Sequence, residues 1–405
     1  MSAHIANPSS SGRALALATT AFTVCFAIWT IFSIIGIQLR QEYGLSESQF
    51  GLLLGLPILT GSLSRIFLGQ WADRFGGRPV YTLTMLVGAV STILLSFAGS
   101  YHQLLLGALG VGIAGGSSAV GVAYVSRFYT RERQGFALGI FGMGNVGAAL
   151  TKFIAPFLVI AFGWQVTAQI WGVLLVVTAI LFWILSEDDP VTRARRDGSA
   201  NAPVASSSRE VLREARVWRF ALYYFFAFGG FVALALWLPT YLTGFYGMDL
   251  KTAGLIAAAY SVPGSIFRAW GGSLSDRFTA RRVMAGCLWV SLAALLVLLV
   301  PHPGNVTLFI VALFVLGVAM SFGKAAVYRY IPDFYPSDVG IVGGFVGMIG
   351  GIGGFVLPLL FGYLLEVTGS WTSCFAALLV VVLLSIGWMA RVLAGLRGPA
   401  EPRHA

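Results

Sequence analysis

The chain has 405 residues, 57% of them hydrophobic and only 10% charged, against roughly a quarter charged in an ordinary soluble domain. No soluble core of this size absorbs that much apolar surface. A net charge of +10 invites a nucleic-acid reading, but the cations sort by topology instead of gathering into one patch, which excludes it.

Apolar stretches of the roughly 20 residues needed to cross about 30 Å of hydrocarbon begin near Leu15, Gly51, Val80, Leu104, Phe136 and Val166. Six more begin near Trp218, Ala253, Val283, Val306, Gly340 and Thr372. A bilayer leaves no backbone polar group unsatisfied, so spans this long and this uniformly apolar are helices and not barrel strands. The first runs from Leu15 to about Ile37. That exceeds the roughly 7 to 15 apolar residues of a signal peptide, so it is expected to be a true span.

The longest polar interruption runs from Glu187 to Arg216 and contains Glu187-Asp188-Asp189-Pro190 and Ser206-Ser207-Ser208. It reads as a mobile linker and divides the spans six and six. The expected fold is an all-α membrane protein with twelve transmembrane helices in two pseudo-symmetric six-helix bundles. Its expected parts are a tail over 1–14, a bundle over 15–186, the linker over 187–216, a bundle over 217–393 and a tail over 394–405.

Twenty of the 26 basic residues fall on one side of the alternating spans, seven of them between Arg193 and Arg219. The other side carries Arg40 and Lys251. By the positive-inside rule the basic face and both termini are cytoplasmic, which places a multi-pass protein in the cell's inner membrane. The remaining four cations, Arg65, Lys152, Arg268 and Lys324, lie within predicted spans.

The pattern GSxxRxxxGxxxDRFxxR occurs at Gly61 and again at Gly264, pairing Arg65 with Arg268, Gly69 with Gly272 and Asp73 with Asp276 at a constant offset of 203. A looser duplication matches Gly135, Gly139, Gly142 and Met143 to Gly340, Gly344, Gly347 and Met348 at an offset of 205. Parallel repeats suit a carrier whose halves rock about a site near the membrane midplane.

The segment Gly69-Gln-Trp-Ala-Asp73-Arg74-Phe75-Gly76-Gly77-Arg78 resembles the loop signature between the second and third spans of the major facilitator superfamily. An acid and several arginines at the ends of two helices form a charge network that holds one access state. The expected gating residues are Asp73, Arg74, Arg78, Asp276, Arg277 and Arg281. Positive-inside anchoring accounts for the arginines but not for two aspartates repeated in register.

Arg65 and Arg268 stand four residues before those loops, about 6 Å into the membrane at a 1.5 Å rise per residue. A charge there faces a cavity or a partner, or snorkels to the interface; its repetition in both halves weakens the snorkelling reading. All sixteen acids fall in loops, termini or span ends, so the site is positive until an anion arrives. The planar guanidinium fork matches a planar oxyanion, and two opposed arginines could grip one from both halves.

Two glycine-rich spans add to this. They contain Gly142, Gly144 and Gly147 in the fifth, and Gly347, Gly350, Gly351, Gly353 and Gly354 in the eleventh, small-residue faces that let helices approach closely and slide. Together with Arg65, Arg268 and Ser321-Phe-Gly-Lys324-Ala-Ala-Val-Tyr328 they resemble the nitrate/nitrite porter family. That resemblance implies that Arg65 and Arg268 bind nitrate or nitrite, that Asn145 lies on a substrate-facing helix, and that Tyr224 and Phe228 line the anion. Where the family suggests a second aromatic in the fourth span, this chain has Gly115-Gly116-Ser117-Ser118.

Lys324 resembles the branch associated with proton-driven nitrate uptake, so proton coupling is expected, with nitrate/nitrite exchange as the alternative. Lys152 is a secondary candidate. Cys25, Cys287 and Cys374 lack metal or disulfide spacing. No cofactor, metal, enzymatic role or nucleic-acid partner is expected, and the unit is expected to be a monomer in the lipid bilayer. A transporter of larger organic anions or a membrane sensor are the other readings.

Overall fold

The computed structural model describes residues 8–198, 208–302 and 304–395. The tail residues 1–7 and 396–405, with Arg397 and Arg403, and linker residues 199–207 lie outside the described residues.

The described chain is helical throughout. Ten stretches are long and apolar enough to cross a membrane. One of them, Arg131–Leu185, contains Gly163 at φ 79° and ψ 170°, a left-handed turn that divides it into two antiparallel spans. Leu250–Phe278, 29 residues long, completes twelve.

We number these α1 (8–42), α2 (Glu47–Phe75), α3 (Gly77–Leu95), α4 (Tyr101–Ser126), α5 (131–162) and α6 (164–185). The second set is α7 (Ala215–Tyr246), α8 (Leu250–Phe278), α9 (Ala280–Leu299), α10 (Val306–Phe334), α11 (Val339–Thr368) and α12 (Ser373–Gly395). Ser46 and Ser100 start α2 and α4 by accepting from the amides of Gln49 and Gln103, as Asp249 and Asn305 do for α8 and α10; such side chains satisfy amides that a helix leaves open.

The large apolar side chains left on the outside, such as Phe153, Phe157, Ile160, Trp270 and Leu359, form the surface a hydrocarbon solvent covers. The two bundles meet chiefly along α2 against α11 and α5 against α8. Small residues permit this: a Cβ on Gly69 would collide with the carbonyl of Gly340, and one on Gly272 with the carbonyl of Gly135. The two contacts are related by the same internal repeat.

Segment 187–198, expected to be mobile, is a folded strap. Asp189, fully buried, caps a short helix (Pro190–Arg196) and accepts from Arg127 at 3.4 Å, while Tyr124 donates to the carbonyl of Glu187 at 2.8 Å. Polar composition alone read this stretch as solvated, because its partners are on distant spans. The first helix also begins earlier than Leu15, at Pro8, with Arg13 paired to Glu187.

Candidate functional site

Arg65 and Arg268 are deeper than their spacing from the loops suggested. Helices α2 and α8 run on to Phe75 and Phe278, so each arginine stands about 15 Å from its helix end at a 1.5 Å rise. Both are nearly inaccessible, at 2% and 3% exposure, and both line one small closed cavity between the bundles, of about 10 Å³. Neither snorkels to the surface.

Each arginine reaches across to the other bundle. Arg65 donates from Nη1 to the carbonyl of Gly347 on α11 at 2.5 Å and from Nε to the carbonyl of Gly115 on α4 at 3.2 Å. Its guanidinium lies 5.6 Å from the Trp29 ring and 5.5 Å from that of Phe228. Arg268 lies 5.4 Å from the Tyr328 ring, and its Nε is buried without a hydrogen-bond partner. Neither arginine forms an ion pair with a described carboxylate.

Three breaks in helical regularity converge on this cavity. A 3₁₀ turn in α4 (Ala114–Gly116) frees the Gly115 carbonyl that meets Arg65; a second in α5 (Met143–Val146) carries Asn145; a π turn in α7 (Phe225–Gly230) carries Phe228. Such irregular turns often mark functional positions because they redirect backbone groups that a regular helix consumes.

Asn145, Tyr224 and Phe228 lie on the cavity wall. Tyr224 stacks on Phe228 at 5.2 Å with 5° between rings and meets Tyr328 edge-on at 4.9 Å. Ser118 does line the cavity in place of an aromatic. The opposing apolar wall comes from Phe22 and Phe26 of α1 and Phe141 of α5, with Phe22 and Phe141 stacked at 4.8 Å. Those phenylalanines escaped the sequence reading because aromatics abound in every span, and Tyr328 entered it only as part of a motif, with no role.

Lys324 is buried but stands apart from this cavity. Its ammonium donates to the carbonyl of Gly264 at 3.2 Å and rests 3.5 Å from the Phe231 ring centre. Lys152 lies on the exposed outer face of α5 beside Phe153.

The signature glycines make room for specific neighbours. A Cβ at Gly142 would strike the Arg268 guanidinium, and one at Gly347 would come within 2.9 Å of the Tyr328 hydroxyl and 3.2 Å of Arg65. Gly144 faces Phe22 and Gly147 the backbone of Thr23 on α1. On α11, Gly350 faces Tyr224, Gly351 faces Ser62, Gly353 faces Phe225 and Gly354 faces Val232.

At the arginine-rich end the repeated aspartates cap helices of the opposite bundle. Asp73 accepts from the amides of Gly340 and Ile341 at 3.0 and 2.8 Å; Asp276 accepts from those of Gly135 and Phe136 at 2.8 and 2.7 Å. A carboxylate at a helix N-terminus satisfies open amides and matches the local positive dipole. The arginines that pair with these acids are Arg127 on Asp73 at 2.8 Å and Arg329 on Asp276 at 2.7 Å.

The neighbouring arginines behave otherwise. Arg74 and Arg277 lie over Phe75 and Phe278 at 5.3 and 5.9 Å. Arg78 donates to the carbonyl of Trp183 at 2.5 Å and stands 3.9 Å from Asp188. Arg281 forms no ion pair with a described carboxylate. Arg127 and Arg329 were legible only as interfacial anchors, since their partners are 54 and 53 residues away.

A family model described as Major Facilitator Superfamily matches residues 17–254 and 243–405. Among curated proteins, the chain is 42% identical to the "Probable nitrate/nitrite antiporter NarK1" of Thermus thermophilus, over 93% of this chain and 90% of that protein. It is 30% identical to the "Nitrite extrusion protein" of Bacillus subtilis, over 93% of each. Among solved structures, the human organic anion transporter MFSD10 superposes with a TM-score of 0.76 at 14% identity, covering 95% of this chain and all of that one. The transporter FucP in its outward conformation superposes with a TM-score of 0.72 at 18% identity, covering 92% and 98%. These two likenesses speak for the fold.

Proposed function

We propose that this chain, which belongs to the major facilitator superfamily and to its nitrate/nitrite porter family, carries nitrate and nitrite across the inner membrane by alternating access. It is a multi-pass membrane transporter and not an enzyme. The observation that carries the substrate reading is the buried, unpartnered Nε of Arg268 beside Arg65 in a cavity with no acidic residue on its wall. Leaving a buried polar donor unpaired costs about 1–3 kcal/mol, more for a charged one. A planar oxyanion between the two guanidinium forks offsets that cost and gains charge-assisted hydrogen bonds from both bundles.

In this reading the bundles over 15–186 and 217–393 rock about the anion as one monomer in the bilayer, with the arginine-rich end and both termini cytoplasmic. The Asp73 and Asp276 caps, with Arg127 and Arg329, hold the cytoplasmic end shut. Anion binding draws Arg65 and Arg268 together, and release of the caps opens the path inward. The roles of Arg65, Arg268, Asn145, Tyr224 and Phe228 in binding belong to this proposal.

Inward movement of one anion against a negative interior costs about 2.3 kcal/mol per 100 mV, so it needs a co-transported cation or a counter-anion. Exchange of nitrate for nitrite fits a cavity wall without carboxylate or histidine. Proton-coupled uptake is the second reading, carried by Lys324, a buried amine on the helix that also supplies Tyr328. Proteoliposomes separate them. Labelled nitrate entering only vesicles loaded with nitrite, with no response to a pH gradient, establishes exchange; accumulation driven by an acidic exterior without internal anion establishes symport. Failure of nitrate to enter under either condition rejects the substrate assignment.

A further inference from the structure

A second cavity lies outside the transport path, on the outer face of the second bundle. It is a groove of about 540 Å³ between α8, α9 and α10, within the roughly 300–1,000 Å³ that buries a drug-sized molecule. Phe278, Val290, Phe314 and Val315 line it and are exposed by 39 to 47%. Gly286 forms part of the wall, where a Cβ would meet nothing within 4 Å.

One charge interrupts this apolar lining. Arg282, exposed in the first turn of α9, borders the groove at the arginine-rich end. Arg277 and Arg281, both exposed, stand nearby in sequence, and none of the three forms an ion pair with a described carboxylate. Apolar walls running along the spans with unpaired guanidinium at the interfacial end match the two parts of an anionic phospholipid. Basic pockets between spans are suited to anionic headgroups.

We propose that this groove is a binding site for one anionic phospholipid of the leaflet at the arginine-rich end, its phosphate on Arg282 and an acyl chain along α8, α9 and α10. Two walls of the groove are also gate elements, since α8 carries Asp276 and α10 carries Arg329. The site stands independently of what the central cavity carries.

Native mass spectrometry of the purified full chain tests this with phosphatidylglycerol, phosphatidylcholine of the same chains, and glycerol 3-phosphate as probes. The expected result is retained phosphatidylglycerol, with neither phosphatidylcholine nor glycerol 3-phosphate retained. Arg282→Gln weakens retention about fivefold, the effect of one arginine near an anionic surface. Gly286→Leu, whose Cβ meets open space and whose side chain then occupies the groove, removes it. Arg213→Gln, an exposed arginine elsewhere at the same end, leaves it unchanged.

Equal retention of both lipids, or binding of glycerol 3-phosphate alone, overturns the proposal. So does phosphatidylglycerol retention that survives both Arg282→Gln and Gly286→Leu, or a dimer that Gly286→Leu disrupts in place of any lipid adduct.

Discussion

Gly142 on α5 leaves the space that the Arg268 guanidinium, reaching over from α8, occupies. Gly347 on α11 does the same for Arg65 from α2. The glycine duplication and the arginine duplication are thus two sides of one contact, made twice.

Alanine at Gly142 pushes on the far end of a flexible side chain, so the fold survives while the guanidinium moves. Displacements of about 1 Å at a site cost about 100-fold. Gly142→Ala is expected to weaken nitrate binding by about 10- to 100-fold with an unchanged thermal midpoint, read by calorimetry and a melting assay on the same sample. Gly272→Ala, which strikes the Gly135 backbone, is expected to disturb bundle closure instead.

Removing a cross-bundle cap loosens the arginine-rich end. An N-cap contributes about 0.5–2 kcal/mol, so Asp73→Ala or Asp276→Ala shifts the closed population by about 2- to 30-fold. With the three buried native cysteines replaced by serine, a Ser118→Cys reporter in the cavity is expected to react faster with a maleimide supplied from that end. An unchanged rate in both variants removes the caps from the gate.

Thr279 adopts φ 74° and ψ 140° at the position where the first half has Gly76, at φ 96° and ψ 151°. This conformation is close to glycine-only and costs about 1–3 kcal/mol for another residue. Thr279 returns a little of that by capping Arg282, an effect glycine loses at only a few tenths of a kcal/mol. Thr279→Gly is expected to raise the melting temperature in detergent, whereas Gly76→Thr, which also meets Thr192, lowers it.

The Phe22 and Phe141 pair bounds the cavity where the fourth span offers Ser118 and Val122 and no aromatic. Phe141→Ala enlarges the space beside the anion, and Gly121 packs on that ring and leaves nothing to refill it. Acetate, with a methyl group bulkier than a nitrate oxygen, is expected to compete with nitrate better in the variant than in the unaltered protein; unchanged competition means another wall sets the size limit.

The chemistry of the site was legible wherever hydrocarbon makes a residue conspicuous. Arg65 and Arg268 stood out because charge within a span is costly, and Asp73 and Asp276 because a repeat preserved them. Arg127 and Arg329 were not, because an arginine at a span end has a sufficient reason to be there without a partner. Lys324 looked equivalent to the two arginines by depth, yet depth does not say which way a side chain turns, and Gly264 and Phe231 hold it elsewhere. The turns around Gly115, Asn145 and Phe228 left no mark in the apolar pattern, since a 3₁₀ or π turn changes hydrogen bonding and not composition. The strap at 187–198 was hidden for the opposite reason, as buried polar groups with distant partners read like solvated ones.

The central claim is that one anion is gripped by guanidinium groups from both bundles, and it is tested by titrating nitrate into purified Arg65→Lys and Arg268→Lys by calorimetry. Lysine keeps the charge and loses the planar fork. The expected result is a loss of nitrate affinity of at least about thirtyfold in each, with the fold intact. Affinity within about twofold of the unaltered protein in both variants contradicts the account.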